Sequence, residues 1–255
     1  MSAFGLHEIG NSLGKVIATC IQMACGDSIK EDIRVNRLIT TNSVPTRIWD
    51  FIFSHLHAMV TMPLVHIGLT KRGPWQMVLV FDENTGLLLS LMREERYKQL
   101  CQDDPHERRY HYVRCLAKEL NDGLPTNDKQ LQWDIIDETE TELDIVQRIA
   151  ASMIEDLAFP ANLIKHHALV LFSAREHETQ SIRCVMVDGG FDIIDEVSWN
   201  KYLQVTEGIV TDTADDSPAP HENPLKGLKL TRKALEKKGV KLPKHKEDNE
   251  KKEEK

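Results

Sequence analysis

Acidic side chains gather around the last predicted hairpin of the chain, where they could hold a metal ion. The candidates for such a site are Asp188, Asp192, Asp195, Glu196 and Lys201. Carboxylates that converge from neighbouring strands can bind magnesium, and a nearby lysine can support the attacking water of a nuclease. No Glu-x-Lys or Asp-x-Lys follows the hairpin, and aspartates are also common in turns and at strand ends. A metal-dependent enzyme acting on nucleic acid is therefore the alternative hypothesis.

A second set of candidates lies on the predicted helix 105–121, which begins with an Asp-Pro pair typical of helix starts. Four basic side chains fall on the face opposite its apolar stripe, and they are Arg108, His111, Arg114 and Lys118. Such a face could contact phosphates. The same pattern is also typical of a solvated helix face, and this second interpretation is the one we favour.

Other motifs fail on spacing. His55 and His57 lie two residues apart on a predicted helix, so their side chains point in different directions and do not chelate together. The segment from Gly10 to Lys15 resembles a phosphate-binding loop, but only three residues separate its glycines and Val16 replaces the required Ser/Thr. We therefore expect no metal site and no cofactor.

The basic C-terminal segment carries the leading functional hypothesis. Residues 226–246 hold nine Lys/Arg and one acid, a net charge of +8. Because the whole chain carries −8 and residues 226–255 carry +6, the preceding residues carry −14. Spaced leucines interrupt the lysines, and a purely solubilising tail has no need of them, whereas a segment that folds on a partner does. The predicted contact residues are Leu228, Arg232, Lys233, Leu235, Lys237 and Lys238.

These residues predict a non-enzymatic regulatory or accessory protein that binds a macromolecular partner. Another protein fits best, because lysines alone would bind nucleic acid without the leucines. Two alternatives remain: a nucleic-acid partner, and a charged terminus that binds nothing. No run of 18 or more apolar residues occurs, so we expect no membrane association.

Hydrophobic periodicity predicts the elements that position these residues. Helices are predicted at about 6–21, 45–59, 105–121 and 143–157, with Gly26 ending the first and a Thr139–Glu142 capping box starting the last. Strands are predicted at 64–69, 77–81, 87–92, 168–172, 182–187 and 191–197. Asp188-Gly189-Gly190 reads as a tight turn whose glycines supply positive φ.

The pattern predicts an α+β fold with a mainly antiparallel sheet and helices on one side. A helix followed by three strands occurs twice. This repetition indicates either an internal duplication or a generic meander, and the poor sequence identity between the halves favours the meander. The predicted folded body spans 1–205, with 1–123 and 135–205 as possible sub-units. An acidic linker at 206–225 contains prolines, and a flexible, disordered lysine-rich tail at 226–255 follows.

The cysteines and the N-terminus indicate a cytoplasmic protein. Five widely spaced cysteines, an odd number without Cys-x-x-Cys, favour neither a disulfide framework nor a zinc site. Cys20 and Cys184 fall in predicted core positions and are expected to be buried thiols. The first 25 residues lack the pattern of a signal peptide.

Overall fold

Six strands form one sheet whose spatial order follows the chain order. The computed structural model describes residues 5–72, 74–124, 140–157 and 161–203. Its strands are β1 Val65–Arg72, β2 Trp75–Asp82, β3 Leu87–Arg93, β4 His166–Arg175, β5 Glu178–Val187 and β6 Ile193–Ser198. Neighbouring strands pair antiparallel except β3 and β4, which run parallel. The predicted α+β class with a mainly antiparallel sheet is confirmed, and strands of both predicted halves lie in this one sheet.

Helices cover both faces of the sheet, so the prediction that they lie on one side is wrong. The helices are α1 Leu6–Asn11, α2 Leu13–Met23, α3 Ile29–Val35, α4 Val44–Met59, α5 Glu94–Gln102, α6 Pro105–Arg108, α7 Tyr112–Asn121 and α8 Glu140–Glu155. Buried apolar residues of α1–α4 pack against one face. Those of α5, α7 and α8 pack against the other. The sheet is therefore the middle of three layers.

The central strands explain why two helical layers are needed. Leu87 and Leu89 of β3 point into one core, while Leu88 and Met92 point into the other, because side chains alternate between the faces of a strand. A strand that is apolar on both faces needs cover on both. The parallel β3–β4 pair also requires a crossover connection. Residues 94–165 supply that crossover and carry α5, α7 and α8 across one face.

The N-terminal helical region differs from the predicted single helix. The chain does not stop at Gly26 but continues through a π-helical turn, Ala24–Ser28, into α3. Gly14 has a packing role, because a Cβ there would lie 2.9 Å from Cε2 of the buried Trp199. The glycine that resembled part of a phosphate loop thus makes room for an indole ring.

The predicted helix 105–121 is broken in two. The chain leaves the helical path between α6 and α7, and the His111 side chain caps α7 by accepting a hydrogen bond from the Val113 N–H at 3.3 Å. The break changes the angular phase of the residues that follow. As a result His111 and Arg114, which the sequence places on the surface, are both buried, while Tyr110 just before the break is exposed.

Several predictions fall outside the described part of the chain. These are the linker 206–225, the tail 226–255 and Thr139 of the predicted capping box. Within the ranges that the structure describes, no helix combines the length and the apolar character needed to cross a membrane.

Candidate functional site

The β5–β6 turn brings together residues from both predicted candidate sets. Asp188 organises it, because its Oδ1 accepts hydrogen bonds from the backbone N–H groups of Gly190 at 2.8 Å and Asp192 at 2.9 Å. The Asp188 N–H also donates to the backbone oxygen of Asp192 at 3.0 Å. A carboxylate held by turn amides is a typical aspartate role in tight turns.

Positive φ in this turn falls on Phe191 and not on the glycines, which corrects the sequence prediction. Phe191 has φ of 73°, whereas Gly189 and Gly190 are not in the left-handed region. A bulky residue in that region costs on the order of 1–3 kcal/mol and persists only where its surroundings fix it. Here the Tyr97 hydroxyl donates to the Phe191 carbonyl at 2.7 Å, and the Phe191 side chain is buried.

Two of the four basic candidates reach the turn. The Arg108 guanidinium lies 5.2 Å from the centre of the Phe191 ring and donates to the Leu100 carbonyl at 2.8 Å. Lys118 crosses over Gly189, where an added Cβ would lie 2.6 Å from the lysine Cγ. Gly189 is therefore needed for the close approach of a side chain. A cation, a carboxylate and a strained backbone thus meet at one surface turn.

The other two basic candidates do not form a phosphate-binding face. Arg114 is buried and donates from Nη1 to the Arg109 carbonyl at 2.9 Å. His111 is buried beside Phe191, with ring centres 6.2 Å apart. Both residues support the helix break beneath the turn. The predicted basic helix face is therefore reduced to Arg108 and Lys118.

The electrostatics of the turn favour a protonated Asp188 more than solvent would. Burial raises the pKa of the Asp188 carboxyl. The hydrogen bonds from Asp192 and Gly190 and the charge of Arg108 oppose this shift, whereas the charge of Asp192 adds to it. Buried, like-charged neighbours are a common way to raise a carboxyl pKa. Burial therefore outweighs the turn hydrogen bonds and the charge of Arg108.

The other candidates of the predicted metal site, Asp195, Glu196 and Lys201, do not join the turn. Glu196 faces the α5 side of the sheet and accepts a hydrogen bond from Arg183 at 2.7 Å, while Arg183 also binds Glu94 at 2.8 Å. Asp195 is the next residue on β6 and points to the opposite face. Lys201 lies beyond β6, with Nζ 4.9 Å from the Tyr202 ring. Within the described ranges no three His, Cys, Asp or Glu side chains are arranged to hold a metal ion.

Sequence reasoning missed a buried polar network. Ser90 of β3 and Nε2 of His167 on β4 are 2.9 Å apart, and both side chains are fully buried. The Asn121 side chain donates to the carbonyls of His167 and Val187 at 2.8 Å each and accepts the His167 N–H at 2.9 Å. Burial lowers the pKa of His167 to about 3, so this imidazole is neutral at physiological pH. A lone serine within the apolar run of β3 was the available signal.

The network binds elements together and does not face solvent. Its hydrogen bonds join β3, β4, β5 and the C-terminal end of α7. A Ser–His pair of this kind resembles part of a nucleophilic site, but complete burial keeps a substrate from reaching it. We therefore assign the network to stability.

The cysteines are free thiols in the structure. The predicted burial of Cys20 and Cys184 is confirmed, and Cys25 and Cys115 are buried as well. Cys101 on α5 is exposed. Burial raises the pKa of all five thiols, which weakens them as nucleophiles at neutral pH.

Together the fold and the site define an α+β protein with a mixed six-stranded sheet between two helical layers and a charged, strained turn between its last two strands. The chain belongs to a family of unknown function, DUF5986, whose model matches residues 6–247. The match includes the basic segment 226–246 and ends just after it. No curated protein and no solved structure matches the chain.

Proposed function

We propose that this protein is a non-enzymatic regulatory or accessory factor that binds a macromolecular partner through residues 226–246. One observation carries the proposal. The segment of net charge +8 with spaced leucines lies inside the family match, which ends at residue 247. The basic segment therefore lies within the family match, which leaves out only residues 1–5 and 248–255.

The composition of the segment favours a protein groove as its target. Leu228 and Leu235 are one heptad apart and would share one face of a helix. Arg232, Lys233, Lys237 and Lys238 would flank that face. An amphipathic helix that lays its apolar side into a groove gains affinity from the leucines and orientation from the charges. The partner surface would be apolar at its centre and acidic at its rim.

The geometry of the folded body supports binding over catalysis. Asp188 holds the amides of its own turn, and Glu196 pairs with Arg183. Each of these candidate acids already has a structural task, and the two do not share one site. A folded body with this role needs no reactive centre.

The test compares variants of the full chain. One variant changes Leu228 and Leu235 to Ser, and another changes Arg232, Lys233, Lys237 and Lys238 to Gln. A matched control changes Lys251, Lys252 and Lys255 to Gln, because these lysines lie beyond the family match. Proteins that are captured by the wild-type chain are identified, and the amount of each that every variant captures is then measured. We expect specific partners to be lost from the leucine variant and retained by the control.

Salt dependence separates the two partner classes. Binding to nucleic acid should weaken by orders of magnitude between low and moderate salt, because each neutralised phosphate releases counterions. A protein groove should show only a mild dependence. Normal binding by the leucine variant, together with failure of the charge variant and collapse in moderate salt, would refute the protein groove. Normal binding by both variants would refute the proposed role of the segment.

One observation keeps the enzymatic alternative testable. Arg108 and Lys118 lie at the same turn as Asp188, as a phosphate-binding site beside a carboxylate would require. A loss of nucleic-acid substrate that depends on magnesium or manganese would establish this alternative, provided that Asp188→Ala and Asp192→Ala abolish it. We expect no such activity.

A further inference from the structure

A partly buried arginine at the end of β3 has an unsatisfied hydrogen-bond donor. The Nη2 atom of Arg93 is buried and has no hydrogen-bond partner. Its guanidinium lies 5.8 Å from the centre of the Phe172 ring, and Trp49 packs edge-on against that ring. No carboxylate within the described ranges forms an ion pair with Arg93. A positive charge therefore lies among apolar and aromatic groups without a counter-charge from the described residues.

A second unsatisfied group lies on the same face of the sheet. The hydroxyl oxygen of Thr179, at the start of β5, is also buried and has no nitrogen or oxygen partner within hydrogen-bond distance. Arg93 pairs in register with Phe172 of β4, and Thr179 pairs with Ala174 of the same strand. The two orphan groups thus approach from strands on either side of β4, near the same end of the sheet.

The π-helical turn Ala24–Ser28 places Cys25 near both groups. Burial raises the pKa of the Cys25 thiol, while the charge of Arg93 and a hydrogen bond from the Thr179 hydroxyl oppose this rise. The turn also contacts β5. Single π-helical turns inside a helical run are uncommon and often occur at functional sites. Hydrogen-bond donors from three elements, β3, β5 and the π-helical turn, therefore lie near one another at this end of the sheet.

The charge of this region selects the ligand. A guanidinium with a buried N–H group that lacks an acceptor is costly unless an anion accompanies it. Arg93 supplies a single positive charge, so a monovalent anion neutralises it, whereas a divalent anion would leave a buried negative charge. The donors are guanidinium N–H, hydroxyl O–H and thiol S–H groups, which suit a halide or one carboxylate group.

We propose that Arg93 Nη2 and Thr179 Oγ1 bind a monovalent anion, a halide or a carboxylate group, beneath the π-helical turn. The site belongs to the folded body and is independent of the basic segment 226–246. Its occupant would join the turn between α2 and α3 to strands β3 and β5. Anion binding would therefore stabilise the folded state in proportion to ligand concentration over its dissociation constant.

Thermal unfolding of the full chain tests the proposal. The protein is prepared in the sodium salt of a bulky sulfonate, which carries no carboxylate group, and titrated with chloride, bromide, formate or sulfate at constant ionic strength. We expect the melting temperature to rise with the small monovalent anions until it saturates, whereas sulfate should give only the steady, non-saturating rise of an anion that is excluded from the protein surface. Comparison of the halide and formate titrations shows whether the site prefers a halide or a carboxylate group, since the better ligand saturates the effect at a lower concentration.

Variants locate the effect. Arg93→Gln should abolish the anion dependence, and Thr179→Val should raise the half-saturating concentration about tenfold, as expected for the loss of one hydrogen bond. Arg175→Gln is the matched control, because that arginine lies at the same end of the sheet with 83% of its side chain exposed. It should respond like the wild type. If Arg93→Gln does not fold, Thr179→Val and Arg93→Lys provide the comparison.

Crystals grown in bromide give the position directly. We expect an anomalous scattering peak between Arg93 and Thr179 in the wild type and none there in Arg93→Gln. Equal anion responses in wild type and Arg93→Gln would overturn the proposal. A wild-type melting temperature that is independent of small anions, or a crystal without bromide beside Arg93, would overturn it as well.

Discussion

The contact between Gly14 and Trp199 makes a prediction that opposes simple helix propensity. Gly14 lies within α2, where alanine is normally the better residue. A Cβ at this position would lie 2.9 Å from Cε2 and 3.1 Å from Cδ2 and Cζ2 of Trp199. The indole is fully buried and rigid, so it has little freedom to move away. We predict that Gly14→Ala destabilises the protein.

The magnitude follows from two opposing effects. Replacing a helical glycine by alanine gains about 1 kcal/mol, while forcing an extra methyl group into a packed core costs about 1–3 kcal/mol. Gly26→Ala is the matched control, because a Cβ at Gly26 would meet only the His177 carbonyl oxygen at an ordinary 3.7 Å. The propensity gain is common to both variants. The difference between them therefore isolates the overpacking cost, about 1–3 kcal/mol in favour of Gly26→Ala.

Urea unfolding followed by far-ultraviolet circular dichroism measures this difference. Tryptophan fluorescence is unsuitable because Trp199 itself is perturbed. A partial rescue is expected from Trp199→Phe in the Gly14→Ala background, since the smaller ring removes the atoms that clash. The packing argument is refuted if Gly14→Ala proves as stable as Gly26→Ala. It is also refuted if Trp199→Phe costs as much stability in the Gly14→Ala background as it does in the wild type.

Three further predictions rest on the turns and the thiols. Glu176 and His177 form the two-residue β4–β5 turn with φ of 51° and 64°, so a Glu176→Asn, His177→Gly double variant should stabilise the protein by up to about 1 kcal/mol. A lower urea midpoint than wild type would contradict this. Asp188→Asn keeps the acceptor for the turn amides but removes a charge that burial disfavours. Because the pKa of Asp188 is raised, the folded state holds the proton more tightly than the unfolded state. The wild type therefore loses stability as the pH rises through this pKa. Asp188→Asn should then gain stability relative to the wild type between acidic and neutral pH. Asp188→Ala should lose about 1 kcal/mol at neutral pH through the missing hydrogen bonds, and equal stabilities of both variants would count against the argument. Cys101 should be the thiol alkylated first in the folded protein, since the other four are buried. Mass spectrometry after unfolding without a reductant should then find all five modified, and fewer would indicate a disulfide.

The strands were predictable because their signal is local. Each of the six predicted strands overlaps an observed one, since an apolar run bounded by turn residues specifies a strand without reference to distant contacts. Helix α4 was predicted for the same reason, with proline in its first turn. The short helices α3 and α5 were missed, because α3 buries only Ile29 and α5 only Tyr97 and Leu100. So few buried positions leave little periodicity to detect.

The candidate residues were less predictable because one broken helix changed their environment. A continuous helix over 105–121 would place His111 and Arg114 on its polar face. The break ahead of α7 rotates them into the core, where each forms a hydrogen bond with a neighbouring backbone group. The capping of α7 by a histidine depends on tertiary contacts, which the spacing of residues in the sequence does not reveal. Likewise, Lys118 reaches Gly189 only because the crossover lays α7 against the end of β5.

Helices on both faces could have been inferred from the strands. The segment Met77–Phe81 is apolar at every position, and such a strand needs cover on two sides. What no local pattern indicated was that β3 and β4 pair in parallel. That pairing forces the intervening helices onto one face and leaves the N-terminal helices to cover the other.

The parallel β3–β4 junction also has a consequence for the order of folding. Each half of the sheet closes through short turns, such as the two-residue connection at 176–177. Pairing of β3 with β4 instead closes a loop of residues 94–165. The entropic cost of closing this loop is on the order of 3 kcal/mol higher than that of a two-residue loop. Contacts so distant in sequence form slowly. We therefore expect two early meanders and a late, rate-limiting closure of the sheet between them, so substitutions at Leu89 or Val170 should slow refolding more than substitutions in the outer hairpins.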